Sequence, residues 1–227
     1  VELATGVMID TAILGLLYGI INKIENDSTQ QDNYMLSLEL DYENRCVVTQ
    51  PCVTNLAITQ AVQDKGFYYA PDPSSQIACS IGGNISTNAG GVHSLKYGVT
   101  TNNVLGVELV LIDGTIIRLG GKNLDAEGYD LLGVVTGSEG LLGVITEITV
   151  KILKKPQSVR AVLIGFDTND DAGNCVADII SAGIIPAGME IMDKPLIIAT
   201  DNFAKAGYPR DVEILLIVEL DGTESEV

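Results

Sequence analysis

Residues 71–114 read PDPSSQIACSIGGNISTNAGGVHSLKYGVTTNNVLGVELVLIDG, and the two halves of this stretch obey different rules. In the second half, residues 104–112 are an almost unbroken apolar run that favours a strand. Asp113-Gly114 is a hairpin turn signal, and residues 115–119 return as the partner strand. In the first half, the prolines on either side of Asp72 force an extended, turn-rich segment over residues 68–75. The glycines that follow, Gly82-Gly83, Gly90-Gly91, Gly98 and Gly106, are more than a packed helix or strand tolerates without a reason. Such a segment must bring backbone close to something. Paired glycines remove side chains where backbone amides could point at a phosphate, and Ser80, Ser86 and Thr87 set hydroxyls beside them. That is the chemistry of a dinucleotide cradle, with plain tight turns as the competing explanation.

On the N-terminal side, residues 46–49 predict a short strand stopped by Pro51, and Thr54 can cap a helix over residues 55–64 that Gly66 closes. Residues 25–33 are polar and aperiodic, which predicts a loop. The apolar run at residues 11–21 is roughly half of the ~20 residues a membrane-spanning helix needs. It follows Glu2 and Asp10, lacks a basic flank and a cleavage site, and so predicts a buried helix, neither a span nor a signal peptide. On the C-terminal side, residues 143–153 alternate as a strand and end at Lys154-Lys155-Pro156, where a domain boundary is expected. Beyond it come a strand at 159–166, a helix at 170–182, a glycine and proline break, a helix at 194–206 and a strand at 212–220. The fold class expected is α+β, with residues 1–155 as one domain and 156–227 as the beginning of another.

Composition narrows the partners. The 227 residues are 46% hydrophobic and 19% charged, as in ordinary globular proteins. A formal charge of -17 repels a phosphate backbone, so nucleic acid is excluded as a partner. Cys46, Cys52, Cys79 and Cys175 form neither a C-x-x-C pair nor the dense spacing of a secreted scaffold, which points to reduced thiols and a cytoplasmic protein. The sequons at Asn26 and Asn84 carry no weight in that setting. No G-x-G-x-x-G is present, and Gly120-Gly121-Lys122 runs into Asn123, so neither a Rossmann fingerprint nor a P-loop is supported.

The stretch at 71–114, together with TGSEGLLGVITEITVKILKKP at 136–156, resembles the FAD-linked oxidase family of the vanillyl-alcohol oxidase type, on the branch of glycolate oxidase D subunits and D-lactate dehydrogenases. The resemblance covers residues 36–227. It implies a partial FAD-binding domain followed by the start of an antiparallel α+β cap domain, with FAD as the cofactor. It further implies oxidation of a small 2-hydroxy acid, glycolate or D-lactate, to the 2-oxo acid, with electrons passed to an iron–sulfur partner subunit or a quinone. Carried over residue by residue, the cofactor contacts are Pro71, Asp72, Ser75, Ser80, Gly82, Gly83, Asn84, Thr87, Asn88, Gly90, Gly91, Gly98, Glu139, Gly143 and Ile145. Gly137, Gly140 and Gly143 would let backbone approach a flat ring, and Glu139 has a solvated turn carboxylate as its plainer explanation.

Relatives carry a histidine-containing metal and substrate motif near the end of a longer chain. Nothing here matches it, so catalytic substrate-side residues are expected outside these positions. They also carry an earlier glycine-rich pyrophosphate loop, of which Ala4-Thr5-Gly6 is a weak echo. These absences support a competing expectation: a non-catalytic remnant or assembly module unable to hold FAD alone. His93, the only histidine, reads as a satisfied loop residue, with an imidazole titrating beside a flavin as the alternative. Met189, Ile191 and Met192 read as core packing, while the resemblance would set Glu190 near the substrate. Cys52 stands where relatives carry glycine in a turn, and would cost about 1 kcal/mol there if the turn needs positive φ.

Overall fold

The computed structural model describes residues 37–123 and 128–227, and Ser37–Val227 form one compact unit. The expected helix at 11–21, the loop at 25–33, the sequon at Asn26 and the Ala4-Thr5-Gly6 echo lie outside the described residues. In chain order the elements are β1 (Ser37–Asp41), β2 (Cys46–Thr49), α1 (Asn55–Val62), β3 (Phe67–Tyr68), α2 (Ile81–Thr87), α3 (Ser94–Tyr97), β4 (Val104–Val110), β5 (Ile116–Gly120), α4 (Leu131–Val135), β6 (Val144–Lys151), β7 (Leu153–Lys154), β8 (Ser158–Phe166), α5 (Asn169–Ser181), β9 (Gly188–Asp193), α6 (Lys194–Ala204) and β10 (Ile214–Gly222). Helices combine with antiparallel sheets, an α+β fold.

The larger sheet has the order β1-β2-β6-β4-β5. Its β4–β5 hairpin runs from Gly106 opposite Gly120 to Val110 opposite Ile116, and Gly114 takes the positive φ of 83° that the turn requires. On β2, β4 and β6 the side chains of Val47, Leu109, Ile148 and Val150 are fully buried, and Ile58 and Val62 of α1 with Ile81 and Ile85 of α2 close the same core. Thr54 caps α1 by accepting from Ala57 N at 3.4 Å, and Gly66, at φ 75°, ends the short 3-10 turn that extends it. Strands β3 and β7 pair in a two-stranded sheet of their own, and after β7 the chain enters a three-stranded sheet, ordered β8-β10-β9, whose small core holds Met192, Ile197 and Leu215.

Three details differ from the sequence expectation. The glycine-rich segment contains a helix, α2, in which Gly82 lies against Pro51, where a Cβ would approach the proline Cβ to 2.7 Å. Strands β1 and β9 have no counterpart in that expectation, and β9 occupies the segment read as core packing; only Met192 of its apolar residues is buried there, while Ile191 is exposed. Cys52 is not among the residues at positive φ, so the strain considered for it is absent.

Candidate functional site

The glycine-rich segment folds back on the extended loop before it. Asn55, buried at the start of α1, donates its Nδ2 to the Pro71 carbonyl at 2.9 Å and so anchors the loop. Asp72 is then turned to the segment's far end: its Oδ1 accepts His93 N at 3.2 Å and its Oδ2 lies 2.6 Å from His93 Nδ1. Gly91 sits directly under the Asp72 carbonyl, in space a Cβ would have to share with that backbone. Ser75 is exposed and uses its carbonyl to accept from Ala78 and Cys79, both at 2.8 Å.

Ser80 caps α2, its Oγ accepting Gly83 N at 3.2 Å. Gly82 N donates to the Pro51 carbonyl at 2.9 Å, and Gly91 N to Ser94 Oγ at 2.8 Å. These three amides are therefore already satisfied within the chain, which corrects the expectation that the doubled glycines aim them at a phosphate. Four glycines are small because the protein itself fills the space: Gly82 against Pro51, Gly90 against Ser94 and Val99, Gly91 against Asp72, and Gly98, at φ 76°, against Asn102. Gly83 is different. It is exposed, and its missing Cβ would meet only Ser80 Oγ, at 3.2 Å.

The second motif is joined to the first by hydrogen bonds. Gly137 N donates to Ile85 O and Glu139 N to Ser86 O, each at 2.8 Å, so the 137–143 turn lies along the end of α2. There Thr87 donates its hydroxyl to Gly83 O at 3.0 Å, and Asn88 takes a φ of 49° and accepts Thr101 N at 2.9 Å. Glu139, exposed, holds a φ of 54°, a left-handed conformation that costs a residue with a side chain about 1 kcal/mol. A Cβ on Gly140, at φ 78°, would have nothing within 4 Å, whereas a Cβ on Gly143 would meet the Val110 carbonyl at 2.6 Å. Ile145 is buried in the core of the large sheet opposite Leu109, so its side chain is structural.

A flavin dinucleotide needs narrow open space beside backbone and polar atoms facing it. Gly140 leaves such space and Gly83 is exposed beside the Ser80 hydroxyl, on segments that are bonded to each other. Asn84, on α2 and only 4% exposed, has an Nδ2 with no acceptor among the described residues. A buried amide donor without a partner is costly, about 1–3 kcal/mol, unless something supplies an acceptor. The residues present fit the group.

Sequence reasoning missed the residues that close this site from the three-stranded sheet. His93 Nε2 is 2.9 Å from Glu219 Oε1 on β10, and the Asp72 carboxylate, with Glu219 adding to it against burial, pushes the imidazole up to about 9. Two residues further along β10, the Asp221 carboxylate pairs with Lys96 and accepts the Tyr97 hydroxyl at 2.6 Å. Burial and that carboxylate push the Tyr97 phenol up. Tyr68 meets the Tyr97 ring edge-on at 6.2 Å. The one signal in the sequence is the alternation of Glu219 and Asp221 on a strand, which puts both on one face. Among the described residues no cluster of His, Cys, Asp and Glu could hold a metal ion, and no helix is long and apolar enough to cross a membrane.

Comparison with known proteins places these features in a family. The FAD binding domain model matches residues 24–120, and the model of the C-terminal domain of FAD linked oxidases matches residues 155–227. The chain is 55% identical to the glycolate oxidase subunit GlcD of Escherichia coli K12 over 84% of its length, and 46% identical to that of Bacillus subtilis over 82%. It is 35% identical to a D-lactate dehydrogenase of Anaerostipes hadrus over 83%. The chain spans 38%, 40% and 41% of the length of these curated relatives. Among solved structures an alkyldihydroxyacetonephosphate synthase superposes with a TM-score of 0.69 at 22% identity, covering 85% of this chain and 37% of that one, a likeness of fold.

Proposed function

The chain belongs to the FAD-linked oxidase family of the vanillyl-alcohol oxidase type and its cofactor is FAD, and on that premise we propose that it serves the oxidation of a 2-hydroxy acid, glycolate or D-lactate, to the 2-oxo acid. The observation that carries this reading is the 55% identity to a glycolate oxidase subunit across 84% of the chain. The competing idea of a non-catalytic remnant has no comparable support. Bound FAD would supply the hydride acceptor for the carbon bearing the hydroxyl, while the hydroxyl proton would have to leave to a base.

This chain's own share is binding and orientation. We assign the cofactor contacts to two connected surfaces. One is the loop at Pro71, Asp72 and Ser75 with Ser80, Gly83, Asn84, Thr87 and Asn88, where Gly82, Gly90, Gly91 and Gly98 serve by close packing and not by offering their amides. The other is the turn at Glu139 and Gly143 with the backbone of Ile145. Asn84 Nδ2, which has no acceptor of its own among the described residues, would be the donor for an acceptor on the cofactor, and Gly83 and Gly140 would admit it without a side chain in the way. The packed glycines, Gly82, Gly90, Gly91 and Gly98, hold the loops at the spacing this requires. A companion electron-acceptor subunit, or a quinone, would receive the electrons, in keeping with the word subunit in the name of the GlcD relatives. The four free cysteines suit a cytoplasmic setting.

The test is anaerobic. In the protein as its gene encodes it, loaded with FAD, glycolate or D-lactate is expected to bleach the flavin absorbance, with glyoxylate or pyruvate as product. A flavin band that persists with both acids would overturn the substrate assignment.

A further inference from the structure

His93 stands between two carboxylates, one on the proline loop and one on β10. Its Nδ1 is 2.6 Å from Asp72 Oδ2 and its Nε2 is 2.9 Å from Glu219 Oε1. A neutral imidazole carries one donor and one acceptor, so it would turn a lone pair toward one of these oxygens. With both carboxylates ionised, only a ring protonated on both nitrogens satisfies both contacts. The arms of this bridge are stiff. Asp72 lies between two prolines, receives the His93 backbone amide on its other oxygen, and packs on Gly91 with no room for a Cβ. Glu219 lies on β10, the central strand of its sheet, bonded to β8 on one side and β9 on the other.

We propose that His93 is a positioning residue: donating from both ring nitrogens at once, to Asp72 and to Glu219, it holds the Pro71–Pro73 loop in its cofactor-receiving geometry against β10. This rests on the cofactor reading given above. The groups facing His93 are Asp72 from the loop and Glu219 from β10. On α3, Lys96 and Tyr97 are turned to Asp221 instead, and β9 presents Gly188 to Val92 while its Glu190 is exposed. The pairing keeps the ring charged up to about pH 9, so the bridge is complete at neutral pH and is lost as pH rises through that value.

His93 is the only histidine among these 227 residues, so in nitrogen NMR of the labelled protein its ring is the signal that disappears in His93→Gln. The expected result is an imidazolium at pH 7 whose titration lies well above the ordinary value of about 6.5. Glu219→Gln should lower that titration point and weaken FAD binding, followed by flavin fluorescence, about tenfold at pH 7. His93→Gln should do the same to FAD binding, and the gap between parent and both variants should narrow as pH approaches about 9.5, where the parent ring is largely neutral too. A merely structural residue would give a gap that does not change with pH. A neutral ring at pH 7, or parent and Glu219→Gln binding FAD alike at every pH, would overturn the proposal. A parent that binds no FAD at any pH overturns the cofactor reading instead, and the imidazole spectrum, which needs no flavin, then still decides whether the bridge exists.

Discussion

A methyl group added at Gly91 would fall within the Asp72 backbone, so Gly91→Ala must displace either the proline loop or the glycine turn. Overpacking of this kind costs about 1–3 kcal/mol, and the variant is expected to lose that much in urea unfolding together with its FAD. Gly83→Ala behaves differently. Its methyl meets only Ser80 Oγ at 3.2 Å and it replaces a helical glycine, which returns up to about 1 kcal/mol of helix propensity. Gly83→Ala should therefore unfold no earlier than the parent while weakening FAD binding, and an unchanged dissociation constant in calorimetry would remove Gly83 from the site. His93 gives a third expectation. Its folded-state pKa is raised, so the stability it contributes is fully present below about pH 6.5 and is lost as pH rises through about 9. Melting temperatures of parent and His93→Gln should accordingly converge toward about pH 9.5.

Among the described residues strand β8 is an edge of the three-stranded sheet and leaves Val159, Val162 and Leu163 about half exposed, at 52%, 49% and 48%. An apolar edge invites pairing with another chain, and a lysine is the usual remedy. Val162→Lys should raise the concentration at which the purified protein begins to scatter light while lowering its stability by no more than about 1 kcal/mol. The elements themselves are unequally legible in the sequence. The β4–β5 hairpin is plain because Asp113-Gly114 interrupts two apolar runs, and α1 because Thr54 and Gly66 bracket it. Strand β9 is hidden because it runs straight into α6, with Asp193 ending the strand and capping the helix by accepting Leu196 N at 3.0 Å. No loop residue marks the join. Helix α2 is hidden by its own glycines, whose reason, the contact with Pro51, is visible only in three dimensions.

At the scale of the whole chain, the formal charge of -17 on these 227 residues opposes an anionic dinucleotide at long range. FAD affinity is therefore expected to rise, not fall, when salt is raised from about 10 to about 150 mM, since the Debye length shrinks from about 30 to about 8 Å. A titration in which salt weakens binding would show that local positive charge dominates. The same scale explains what the sequence withholds about the site. The glycine motifs are readable because they are local, whereas His93 meets Asp72 across 21 positions and Glu219 across 126. Nothing in the neighbourhood of either residue announces the other. That separation also has a meaning in time. Turns such as Leu111–Gly114 close within microseconds, while contacts spanning more than a hundred residues must wait until the intervening chain has been gathered in. A refolding chain should regain its strand signal first and its capacity to quench flavin fluorescence later, the interval recording how long β10 takes to arrive.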